Sequence, residues 1–152
     1  MKIGRQSVYD TFGDKWQLYC AAVNRYGVSE RQGHIDALNS GANAAEGLRQ
    51  MMLRVVAEAH RPCLGVSSIS EFGRRSEELV AIHEAQGKAL RKAIAAKVRQ
   101  AQAEGYVALT LNPDQAAGFL ISNIAGIRLT ARGGASEAEL QVLGRLALQA
   151  LR

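Results

Sequence analysis

Along most of this chain apolar residues recur at every third or fourth position, and strict alternation is rare. The clearest case lies between Ser76 and Gly105. There Leu79, Ile82, Leu90, Ala93, Ile94, Val98 and Ala101 fall on one face of a helix, as a 3.6-residue period requires. Two polar residues, His83 and Gln86, sit inside that stripe. Each needs a partner, because an unpaired polar group costs about 1–3 kcal/mol when buried. They either bond to neighbouring helices or line an internal cavity and meet a ligand or water there.

Local start and stop signals divide the pattern into elements. Asp14-Lys-Trp-Gln17, Asn43-Ala-Ala-Glu46 and Ser136-Glu-Ala-Glu139 each place a capping side chain three residues before Glu or Gln. Asn112-Pro113 adds proline at a first helical position, where its missing N–H costs nothing. Gly41, Pro62, Gly105 and Gly133-Gly134 mark the stops. The pattern predicts a short helix at about 5–11 and helices at about 14–40, 44–61, 64–72, 77–104, 113–131 and 137–151. "YVALTL" (Tyr106 to Leu111) has strand character. A lone strand has no partner, so a connector is expected and the fold class is all-α.

The last two helices carry a further pattern. Gly118, Ser122 and Gly126 form a seam of small residues beside Leu120, Ile124 and Ile127. Leu140, Leu143, Gly144, Ala147 and Leu151 form a second apolar stripe. Two such helices can complete the monomer core, or each copy can contribute two helices to a symmetric four-helix interface.

Composition narrows the class. The 152 residues suit one compact domain, and 47 % are hydrophobic with only 5 % aromatic, which favours helices. No apolar run approaches the ~20 residues of a membrane span. No basic segment followed by an apolar one opens the chain, so a cytoplasmic location without membrane partners is expected. Cys20 and Cys63 lie far apart and read as a reduced, buried pair. The net charge of +5 permits an anionic partner without demanding one. The densest basic run, Lys88, Arg91, Lys92, Lys97 and Arg99, reads as a solvated helix face. The histidines (His34, His60, His83) and the scattered carboxylates show no metal-ligand spacing, and no nucleophile motif is present. Neither an enzyme nor a metal or cofactor is expected.

The opening segment does not read as core alone. Tyr9 and Phe12 stand one turn apart, the turn "FGD" follows, and Lys15 enters the first turn of the next helix. A cation there opposes the helix dipole, and makes sense beside an anion, since helix N-termini are ready phosphate sites.

"IGRQSVYDTFGDKWQLYCAAVNRY" (Ile3 to Tyr26) resembles the end of the DNA-binding domain of TetR-family transcriptional regulators. The matching features are Ser7-Val8-Tyr9, then Phe12, then the Asp14-Lys15 start of a long linking helix. "PCLGVSSISEFG", the helix at 77–104 and the paired last helices around "ARGGASEAEL" are similar to the family's ligand-binding and dimerisation domain. The resemblance implies that residues 1–13 are a remnant of a helix-turn-helix domain and 14–152 a helical ligand-binding and dimerisation domain, with 14–40 as linking helix. It implies that Arg5, Gln6 and Ser7 face base edges, that Tyr9 and Lys15 touch phosphates, and that Phe12 belongs to the small domain's core. Family members carry two helices ahead of this segment, and Lys2 stands where they usually have Gly. A recognition helix of about seven residues does not hold itself folded, so weak, salt-sensitive DNA contact is expected of this sequence.

The resemblance further implies a homodimer through the last two helices (Gly118, Ser122, Gly126, Leu140, Leu143, Ala147). It implies an unknown small-molecule effector in a pocket near Met52, His60, Phe72, His83, Gln86 and Asn123, and operator DNA as the partner of a full-length form. The expected function is that of a ligand-responsive transcriptional repressor. The alternative is a dimeric small-molecule-binding or protein-interaction module without DNA function.

Overall fold

The computed structural model describes residues 5–152, with Arg5 and Tyr9 described by backbone alone; Lys2 and its neighbours at 1–4 lie outside the described residues. Seven helices follow one another: α1 (Arg5–Phe12), α2 (Lys15–Asn39), α3 (Ala44–Ala57), α4 (Leu64–Phe72), α5 (Glu77–Ala103), α6 (Pro113–Arg132) and α7 (Glu137–Gln149). No strand occurs among the described residues.

The helix starts form where their side chains dictate. Asp14 accepts from the N–H of Gln17, and Gln17 reaches back to the N–H of Asp14, closing a full capping box. Ser136 and Glu139 form the second. Asn43 caps α3, but Glu46 does not reach back. Its carboxylate takes Arg49 in a two-pronged ion pair and the amide of Gln50, which hold its pKa down at about 2. Between α1 and α2 the chain turns on Gly13, whose φ of +85° L-side chains rarely adopt. Gly105, at φ +79°, closes α5. The N–H of Tyr106 reaches back to the Ala101 carbonyl at 2.9 Å and that of Gly105 to Gln102 at 3.1 Å, a Schellman arrangement. The segment at 106–111 is the expected connector. The side-chain amide of Gln102 holds the carbonyls of Ala108 and Leu111, and the N–H of Ala108 bonds to Leu151. α3 stops at Ala57, short of the expected 61, and a turn at 58–60 leads to Pro62. The residue before a proline is pushed out of helical geometry, which favours an early stop.

The main core fills the space between α3, α5, α6 and α7, with Leu38 of α2 at its edge. Leu48, Met51, Met52, Val55, Ile94, Val98, Leu120, Ile127 and Leu140 are its buried large side chains, each contributing about 1.5–3 kcal/mol. A second cluster joins α2, α4 and α5. Cys20, Val23 and Leu79 are buried in it, with Tyr19, Leu64, Phe72 and Ile82 around them. α2 packs along α5 and α3, and like α5 it reaches both clusters.

Candidate functional site

Where α2 crosses α3 and α6, the interior is charged. Glu30, in the middle of α2, receives Arg128 of α6 at 2.5 Å on one oxygen and Arg54 of α3 at 2.9 Å on the other. Arg128 is only 3 % exposed, and a buried guanidinium needs such a carboxylate. Arg54 also holds Glu58 one helical turn on, at 2.9 Å. Gly33 gives it room: an added Cβ there would stand 2.6 Å from the guanidinium. Burial raises the Glu30 pKa, yet Arg128 and Arg54 outweigh it and hold the carboxyl below its usual range.

His34, 4 % exposed, completes the cluster one turn beyond Glu30. Arg54 lies 3.2 Å from its Nδ1. Arginine can only donate, so Nδ1 accepts and the ring is neutral with its proton on Nε2. Burial first, then the charge of Arg54, lowers its pKa from 6.5 to about 4, against the pull of Glu30.

Polar and aromatic contacts also tie α4 to its neighbours. The hydroxyl of Ser68 lies 2.8 Å from Nε2 of His83 on α5, and Arg132 of α6 donates to Ser67 at 2.9 Å. Phe72 meets Trp16 edge-on with ring centroids 5.2 Å apart, and Tyr19 at 5.6 Å. Gln86 accepts from Arg31 at 2.5 Å and donates to Asn24 at 3.1 Å. The polar pair on the α5 stripe therefore bonds to neighbouring helices, and every buried side-chain polar atom among the described residues has a partner.

The six expected pocket residues do not converge on one cavity. Met52 is core at the α3–α7 side, Phe72 and His83 attend α4, and Gln86 bridges to α2. Asn123 bonds back to the carbonyl of Phe119 on its own helix. His60 is exposed, because α3 ends before it and the following turn carries it away from the helix's inner face.

The dimer residues divide likewise. Ser122 and Gly126 are exposed, while Gly118 faces Arg91 of α5. Leu140 and Ala147 point into the monomer core and Leu143 packs against it, so these three expected interface residues take the first of the two roles left open for their stripe, completing the monomer core. The outward apolar positions are Phe119 and Leu129 on α6, and Val142 and Leu146 on α7. Gln6, Ser7 and Lys15 are exposed at the α1 end; Gln6 donates to Asp10 at 3.2 Å. The side chains of Arg5 and Tyr9 lie outside the described residues.

Sequence reasoning missed the Glu30 cluster. Its signal was present: Glu30 and His34 are four apart, Arg54 and Glu58 are four apart, and Arg128 follows directly on the apolar Ile127. Charged residues on inward faces imply one another as partners, which is the logic applied to His83 and Gln86.

The helix order and packing are those of TetR-family transcriptional regulators, an all-α class. A regulator of this family from Agrobacterium tumefaciens superposes with a TM-score of 0.85 at 22 % identity, covering 98 % of this chain and 80 % of its own. The reduced form of NemR from E. coli gives 0.84 at 17 %, covering 99 % and 82 %. The regulator CifR, as a cysteine mutant complexed with a 26-bp operator duplex, gives 0.83 at 22 %, covering 99 % and 81 %. No protein-family model and no curated protein sequence matches the chain. No helix among the described residues is long and apolar enough to cross a membrane.

Proposed function

We propose that this chain is a ligand-responsive transcriptional repressor of the TetR type, cytoplasmic, and dimeric through α6 and α7. The observation that carries the reading is that nearly the whole chain overlaps about four fifths of such regulators, one of them bound to operator DNA. α1 and the start of α2 then form the DNA-facing end, with Gln6, Ser7 and Lys15, together with Arg5 and Tyr9, toward the duplex. The effector lodges among α2, α4, α5 and α6. From there it biases α2 through α4, whose Phe72 touches Trp16 and Tyr19, and through the Glu30 cluster. A shift of α2 alters the separation of the two α1 helices in the dimer, so effector and DNA compete through one two-state element.

Fluorescence anisotropy on duplexes from the gene's own upstream region tests this, for the chain and for a form extended upstream. Salt-sensitive binding by either supports the regulator. If neither form binds any such duplex at low salt, the reading fails and a dimeric binding module without DNA function takes its place.

A further inference from the structure

α3 and α7 pack antiparallel, Val56 beside Gly144 and Arg49 near Leu148 and Arg152, with a trough left open along their seam. Two adjoining stretches, of about 740 and 530 Å³, share Arg49, Leu148 and Arg152. Volumes of this order are those of small-molecule sites, about 300–1,000 Å³. The floor of the smaller stretch is apolar: Met52, Val56 and Gly144 are buried and Leu148 is half-buried. Gly144 brings the two helices together, since an added Cβ would come within 3.2 Å of Val56. Leu53 lines the rim and stays 44 % exposed, an apolar surface that none of the described residues covers.

The side-chain charges above this floor are of one sign. Arg49, Arg145 and Arg152 line the smaller stretch, and no Asp or Glu does. Arg49 is neutralised by Glu46 at 2.6 Å. Arg145 and Arg152 are exposed and have no ion-pair partner among the described residues. Planar guanidiniums suit carboxylates, which they can hold through two parallel bonds. Round α7, Val142 stands about a sixth of a turn and Leu146 a little over a quarter of a turn from Arg145, so Arg145 borders that outward face, while Leu148 and Gly144 lie on its far side.

We propose that this seam binds an amphipathic anion, a medium-chain aliphatic carboxylate. Its chain lies on Met52, Val56 and Leu148, and its carboxylate is held by Arg145 and Arg152. The inference is independent of the regulator reading: the site lies outside the α2–α6 interior and needs no DNA. One of its walls is α7, so occupancy joins α3 to that helix.

Decanoate, kept below its micellar concentration, is titrated into the full chain and followed by the methyl resonances of Met52, Leu53, Val56 and Leu148. Saturable shifts at these methyls are expected, and none with decyltrimethylammonium. The exposed double variant Arg145→Glu/Arg152→Glu should keep its melting temperature and bind decanoate at least about tenfold more weakly, since both guanidiniums that hold the carboxylate are reversed. Arg145→Lys/Arg152→Lys should retain most of the affinity. Absence of saturation, equal binding of the cationic amphiphile, or unchanged affinity in the charge-reversed variant would each overturn the proposal. So would shifts centred on His34, Arg54 and Arg128 instead of the trough.

Discussion

Glu30 decides how three helices sit together, because it is the carboxylate that Arg128 has been buried against. Replacing it by Gln keeps the shape and one acceptor but leaves the Arg128 charge uncompensated. Breaking a buried pair costs about 3–5 kcal/mol; with an amide oxygen still accepting, a loss of about 3 kcal/mol in urea unfolding is expected. Glu30→Met combined with Arg128→Leu should recover much of it, since matched apolar replacements of a buried pair are often neutral. His34 gives the same site a pH dependence. Its folded pKa of about 4 lies below its ordinary 6.5, so between these values the unfolded chain binds a proton that the folded one refuses. Stability is therefore flat above pH 6.5 and falls as pH drops toward 4, by about 3 kcal/mol in all. His83, whose pKa burial also lowers, adds to the slope in the same direction. His34→Asn, whose side-chain oxygen can replace Nδ1 as acceptor for Arg54, should remove the larger part; thermal melts from pH 7 to 4.5 would show it. Lines of sequence hold half of this site. The i,i+4 pairs on α2 and α3 are legible, but which helices cross at Glu30 is a property of packing, and Arg128, 98 positions away, has no local signature.

At the scale of elements the sequence was explicit wherever a side chain closes a backbone group locally. Asp14, Asn43, Asn112 and Ser136 all cap the helices they head, and Gly105 ends α5. It was less explicit where contact between helices decides. Gly47 lies inside α3, where helix propensity alone would favour alanine by about 0.5–1 kcal/mol. An added Cβ, however, would stand 2.2 Å from the Leu38 carbonyl oxygen at the end of α2, and one at Gly41 would stand 2.3 Å from the Gly47 nitrogen. This corner is backbone against backbone, so neither side can yield. Gly47→Ala should destabilise by about 1–3 kcal/mol, the cost of overpacking. Gly87, inside α5, has nothing within 4 Å of its Cβ position, so Gly87→Ala should stabilise by the propensity term of about 0.5–1 kcal/mol. Equal and same-signed shifts of the two urea midpoints would show that contact at the α2–α3 corner is not what sets the glycine at Gly47. The four-residue period of Gly118, Ser122 and Gly126 reads as one seam in the sequence, yet it splits in the fold. Gly118 makes room for Arg91, while the other two lie open, because a helix twenty residues long touches more than one neighbour.

For the molecule as a whole, the question is what covers the outward side of α6 and α7. Leu129 is 59 % exposed and Leu146 53 %, with Phe119 and Val142 on the same two helices. Such an apolar face is what a second copy would bury in a symmetric four-helix contact. Gly126 is the sharpest probe, because an added Cβ there meets nothing within 4 Å of its own chain. Gly126→Leu should therefore leave the monomer's unfolding intact, or raise its stability by about 0.5–1 kcal/mol through helix propensity. If α6 lies in the interface, the same side chain enters a contact shaped without it, and overpacking of about 1–3 kcal/mol should shift the dimer equilibrium toward monomer. Ser122→Ala keeps the side chain small and should leave the equilibrium almost unchanged. Sedimentation velocity at micromolar concentration reads the first effect and urea unfolding the second. Separation of the two is the informative result, since a variant that merely misfolds loses both. A wild-type chain sedimenting as a monomer, or a Gly126→Leu chain that dimerises as well as wild type, would mean that the α6–α7 face serves some other contact.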